Sequence, residues 1–135
     1  MKRYLVLYLA TAIVLVVCDG IWLGVVAKDF FRARLEHLML AEVNLWVAAV
    51  FYLLYPVGVI IFASARALAN KSWSTALLYG ALFGFFAFAT YDLTNLATLR
   101  GWPLSVAILD VSWGTLVSAV SAVVGYLLAD LVSPS

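Results

Sequence analysis

The chain has 135 residues, 67% of them hydrophobic and 11% charged, with a formal net charge of +1. A soluble domain is nearer half apolar and a quarter charged, and one this small cannot bury so much apolar surface, so the composition points to an integral membrane protein. No basic face exists to neutralise phosphates, which excludes a nucleic-acid partner, and the single cysteine, Cys18, excludes an internal disulfide and any multi-cysteine metal site.

Four apolar segments follow in order, at about residues 4–26, 44–63, 75–98 and 103–131. Each has the roughly 20 residues that a helix needs to cross about 30 Å of hydrocarbon, and in lipid a helix satisfies its backbone groups locally. The expected fold is a single all-α domain, residues 1–135, built as a four-helix transmembrane bundle of up-down topology. The first segment opens with Met1, Lys2 and Arg3 and resembles a signal peptide. The run from Leu15 to Cys18 resembles a lipoprotein cleavage box, but Val17 is not the small residue such a box needs, so the segment reads as an uncleaved first helix. Residues 29–40 mix aromatics, charges and leucines, which fits either an interfacial helix lying over the aspartate end of the bundle or an ordinary connector. Pro56 falls inside the second segment and should kink it, freeing the Tyr52 carbonyl. Trp73 and Trp102 sit at the starts of the third and fourth, where aromatic belts form, and Pro103 takes a first-turn position that tolerates its missing N–H.

With the N-terminus inside, the cytoplasmic face holds Lys2, Arg3, Arg66 and Lys71 and the outer face Lys28, Arg32, Arg34 and Arg100, a tie. The ends of the first helix break it. Lys2, Arg3 and the terminal amine oppose a mixed-sign stretch, which favours both termini in the cytoplasm.

Three aspartates lie inside these spans: Asp19, Asp92 and Asp110. A carboxylate at a helix centre costs roughly 2.5–3.5 kcal/mol on insertion scales, somewhat less off-centre. Asp19 lies about seven residues before the end of the first helix, Asp92 about six before the end of the third, and Asp110 about seven after the start of the fourth. At 1.5 Å per residue all three are roughly 10 Å below one membrane face. On a helical wheel Gly80, Gly84, Tyr91, Asn95 and Thr98 share a stripe flanked by Asp92 and Thr94, while Asp110, Gly114, Ser118, Ser121 and Gly125 share another. Tyr8, Ala12 and Asp19 line up on the first helix, with Trp22 a turn beyond. The small-xxx-small pairs Gly80–Gly84 and Gly20–Gly24 mark close helix approaches, which turns Asp110 and the Tyr91/Asn95 face into the bundle.

No lysine or arginine shares the aspartates' depth. Their charge is therefore balanced by protons, by a shared proton, by a bound cation or by a cationic or hydroxylic ligand, with Tyr91, Thr94, Asn95, Ser112, Trp22 and Trp113 as candidate hydrogen-bond partners. Polar residues can also act as helix-to-helix glue, but each such bond contributes roughly 0.6 kcal/mol in membranes, too little to offset one inserted carboxylate. The expected ligand-binding residues are thus Asp19, Trp22, Tyr91, Asp92, Asn95, Asp110 and Trp113. His37, the single histidine, lies near Glu36 and Glu42 on the same face. One histidine among carboxylates is a weak metal signal, so neither a metal nor a cofactor is expected.

The blocks Asp19-Gly-Ile-Trp22-Leu-Gly24, Phe51-Tyr-Leu-Leu-Tyr55, Tyr91-Asp-Leu-Thr-Asn-Leu-Ala-Thr-Leu-Arg-Gly-Trp-Pro103 and Asp110-Val-Ser-Trp113-Gly-Thr115 resemble a bacterial family of small predicted membrane proteins, known only as domain of unknown function 2177. The resemblance covers almost the whole chain and includes all three aspartates; the Glu36–His37 stretch departs from the pattern. It implies a multi-pass bacterial inner-membrane protein and no particular activity. The leading functional expectation is binding or transport of a proton or a small polar or cationic ligand. Four helices are few for an alternating-access carrier, so transport calls for a homodimer through the glycine-rich helix faces. The alternatives are a membrane-embedded enzyme using paired carboxylates on a lipid or isoprenoid-like substrate, and a structural or assembly partner in a membrane complex.

Overall fold

In hydrocarbon a chain this apolar must satisfy each backbone group within its own helix, and the computed structural model, which describes residues 2–39 and 44–132, does so. Glu42 lies outside the described residues. Helices α1 (Lys2–Val26), α3 (Leu45–Asn70), α4 (Trp73–Thr98) and α5 (Leu104–Val132) are each long and apolar enough to cross a membrane. The short α2 (Lys28–Leu35) and a 3-10 turn (Glu36–Leu38) follow α1. No strand occurs among the described residues. The protein is an all-α transmembrane bundle.

Local chemistry sets the ends. Asn44 Oδ1 accepts the Val47 N–H (3.2 Å) and Ser72 Oγ the Thr75 N–H (3.3 Å), starting α3 and α4 with N-caps. Helix α3 continues past residue 63 because Ala65, Ala67 and Leu68 are strong helix formers, and it stops where Lys71 turns left-handed (φ 52°). Pro56 sits buried inside α3, one turn before a π-helical turn at Ile60–Ser64. A second π turn, Trp22–Val26, closes α1, where the Ala27 N–H reaches the Trp22 carbonyl (2.7 Å).

Helix α5 is central, packed most extensively against α4 and next against α1. The α4–α5 contact is a ladder with rungs four residues apart. Gly80 lies against Ala122, Gly84 against Ser118 and the Gly114 carbonyl, and the Phe88 ring over Gly114. The next rung sets Asp92 beside Asp110. A Cβ on Gly80 would come 2.8 Å from that of Ala122, so only glycine permits this approach. Helix α1 offers a similar row, with Leu7, Thr11, Leu15 and Asp19 all buried and Gly125 of α5 fitted against Leu7 and Thr11. Helix α3 closes the same half through Val59, Ala63 and Ala67, and the Ser64 hydroxyl donates to the Ala122 carbonyl (3.2 Å).

The other expected glycine contact is absent. No atom lies within 4 Å of a Cβ built on Gly20 or Gly24, so that pair faces outward from α1.

Candidate functional site

Three helices converge on one carboxylate. Asp19 is 6% exposed; its Oδ2 accepts the Tyr52 hydroxyl of α3 and its Oδ1 the Trp113 indole N–H of α5, each at 2.8 Å. Trp113 in turn stacks on Trp22 of α1, with centroids 4.5 Å apart and planes 4° from parallel. These side chains form one wall of a cavity of about 460 Å³. Helix α1 contributes Asp19, Trp22 and Leu23, α3 contributes Phe51, Tyr52 and Tyr55, α4 contributes Ala87, Phe88 and Tyr91, and α5 contributes Asp110 and Trp113. Seven of these eleven are aromatic, two are carboxylates and none is basic.

The aspartates do not share one environment. Asp19 and Asp110 line the cavity, whereas Asp92 does not and is 0% exposed behind it. Asp92's polar neighbours are Asp110 and the Trp102 indole, close enough to interact but short of good hydrogen-bond geometry, so both Asp92 oxygens and the Trp102 N–H lack a well-formed bond. Asp110 stands between the other two and interacts electrostatically with both.

The Tyr91/Asn95 face turns inward only in part. Tyr91 is 55% exposed at the cavity's edge, set edge-on to Trp102 (5.7 Å, 89°), and Asn95 lies beside Tyr91 away from the lining. Asp92, on the glycine row, takes the interior position instead. Thr94 and Ser112 donate to carbonyls of their own helices, as do Thr90, Thr98, Thr115 and Ser121. Such i−4 bonds let a hydroxyl sit in an apolar span without a partner helix, so these residues are no part of the site.

Phe51, Tyr52, Tyr55 and Phe88 belong to the lining although none is among the expected ligand contacts; the first three fall in the Phe51–Tyr55 block that carries the family resemblance. Tyr55 also bridges α3 to α5 by a 2.7 Å hydrogen bond with Ser118. The available signal was the Phe51, Tyr52, Tyr55 spacing, which places three aromatics within about one turn of a helix.

Helix α2 packs over the aspartate end, as its mixed composition suggests. Ala27 and Phe31 are buried with Val106, against Trp22, Trp102 and Leu109. The 3-10 turn rests on the α4–α5 connection, where a Cβ on Gly101 (φ +75°) would come 2.9 Å from His37 Nε2. Glycine is favoured there by the left-handed backbone. Among the described residues no group of three His, Cys, Asp or Glu side chains is placed to hold a metal ion.

The fold and composition together define an integral membrane protein with, among the described residues, four helices long and apolar enough to span the bilayer. Residues 4–127 match the family described as Predicted membrane protein (DUF2177), and the chain belongs to that family. No curated protein and no solved structure matches it.

Proposed function

We propose that the protein binds a small polar or cationic ligand, or a proton, in the cavity between its helices. The observation that supports this is the lining itself: two carboxylates, Asp19 and Asp110, with no basic side chain among the lining residues. Carboxylates within an apolar span are costly unless something neutralises them, and Tyr52 and Trp113 fix Asp19 in place without supplying a positive charge. Asp19, Asp110, Trp22, Trp113 and Tyr91 are the proposed ligand contacts, Asp92 acts through Asp110, and Asn95 through Tyr91. Transport is the natural extension of binding, with a second copy docking on the outward Gly20–Gly24 face of α1. The membrane is proposed to be a bacterial inner membrane, with both termini in the cytoplasm.

One observation favours a second reading. Asp92 and Asp110 lie carboxyl to carboxyl, an arrangement suited to acid–base chemistry on a lipid or isoprenoid-like substrate.

A thermal-stability screen of the purified protein against cationic and neutral polar solutes tests the binding proposal. A true ligand at 100 times its Kd stabilises the native state by about 2.7 kcal/mol, and the Asp19→Asn/Asp110→Asn double variant loses that shift. If the double variant folds, supports the same cellular phenotype and responds to every solute as the native protein does, the aspartates are helix-to-helix glue and the proposal fails.

A further inference from the structure

Resting on the reading of the cavity as a ligand site, we infer that its ligand carries an organic ammonium group, of the trimethylammonium type, rather than an inorganic cation or a neutral polar group. Three observations converge on this class. The first is sign: Asp19 and Asp110 line the cavity and no lysine, arginine or histidine does. The second is the scarcity of oxygen. Small metal ions demand six or more close oxygen donors or several retained waters, whereas among the described residues no three-member donor cluster exists and both Asp19 oxygens are already bonded to Tyr52 and Trp113. The third is the wall. Trp22 and Trp113, stacked as one block, stand with Tyr52, Tyr55, Phe88 and Tyr91 around the space. Aromatic faces attract a weakly hydrated organic cation and give little to a strongly hydrated one.

Size and access agree. A volume of about 460 Å³ falls within the range of roughly 300–1,000 Å³ usual for small-molecule sites. Leu23, Phe51 and Tyr91 of the lining are also exposed and belong to spanning helices, which points to access from within the bilayer's thickness. An ammonium group could therefore arrive free or as a lipid headgroup, with one chemistry serving both.

The test uses the full chain in phosphatidylglycerol nanodiscs, reading intrinsic tryptophan fluorescence, since Trp22 and Trp113 form the wall. Three probes are titrated: choline, its uncharged carbon isostere 3,3-dimethyl-1-butanol, and potassium chloride. Choline is expected to change the emission saturably and at least about tenfold more tightly than the isostere, with potassium failing to compete beyond its ionic-strength effect. Asp110→Asn should weaken choline by about tenfold; the isostere comparison in the native protein decides the matter if that variant does not fold. Discs containing phosphatidylcholine that weaken soluble choline assign a lipid headgroup as the source, and discs that leave it unchanged assign a free ammonium compound. Equal binding of the isostere, or saturable competition by potassium, overturns the ammonium inference while leaving a ligand site in place. No saturable response to any probe overturns the inference, and if the solute screen is also silent the site reading falls with it.

Discussion

The two halves of the bundle are built from opposite materials. Toward the termini, Gly80, Gly84, Gly125, Ala63, Ala67, Ala122 and Ala129 bring helices within backbone contact. Toward the aspartate end, the same helices present Phe51, Tyr52, Tyr55, Phe88, Trp22 and Trp113, and a cavity remains between them. The difference follows from side-chain volume. Small residues let α4, α5 and α1 close on each other, whereas large rings hold the opposite ends apart around carboxyl groups that hydrocarbon accommodates only at a cost.

Substitutions can break or sharpen that contrast. The largest effect is expected at Gly84, where any Cβ meets the Gly114 carbonyl and Ser118. Gly84→Ala should cost about 1–3 kcal/mol, the usual range for overpacking, and Gly84→Leu should leave no folded protein, both read from thermal unfolding in detergent. Next comes Tyr52→Phe, which removes one of two hydrogen bonds to Asp19. A loss of about 0.6–1.7 kcal/mol is expected from the same unfolding assay, and an unchanged melting curve would detach α3 from the account. The smallest effect is expected at Gly20, which has open space around it in the isolated chain. Gly20→Ala should stay within about 0.5 kcal/mol of the native protein. Should it instead reduce a dimer fraction measured by crosslinking in membranes, the outward glycine face is the contact between copies.

Much of this arrangement was legible in the sequence. Segment lengths point to four spans, the up-down order puts Asp19, Asp92 and Asp110 at one end, and the Gly80–Gly84 pair marks a close helix approach, which the structure places between α4 and α5. Tyr91 reaches only the cavity's edge, which a wheel does not show because it projects onto a straight axis. The two helices meet along a row of every fourth residue, which slants by about 26° to the axis, so the contact beginning at Gly80 arrives at Asp92 and leaves Tyr91 at the edge. Tyr52 and Tyr55 were hidden for another reason. The rotation of α3 depends on its partners, and in lipid an aromatic is as welcome outside as inside: Trp46 of the same helix is 86% exposed. The π turns at Trp22–Val26 and Ile60–Ser64 have no compositional mark, since a shifted hydrogen bond leaves the sequence unchanged.

The central claim is that the aspartate end encloses an accessible, negatively charged cavity while the opposite end is closed. It is tested most directly by placing a single cysteine at Ala87, in the lining, or at Ala122, in the packed half, in a background where Cys18 is replaced by serine. Each protein is reacted with trimethylammonium-ethyl and sulfonato-ethyl methanethiosulfonate, and labelling rates are followed by mass spectrometry. The account predicts reaction at position 87 with the cationic reagent at least about tenfold faster than with the anionic one, loss of that preference in Asp19→Asn/Asp110→Asn, and no reaction at position 122. Equal rates for the two reagents at position 87, or equal labelling of the two positions, would contradict it.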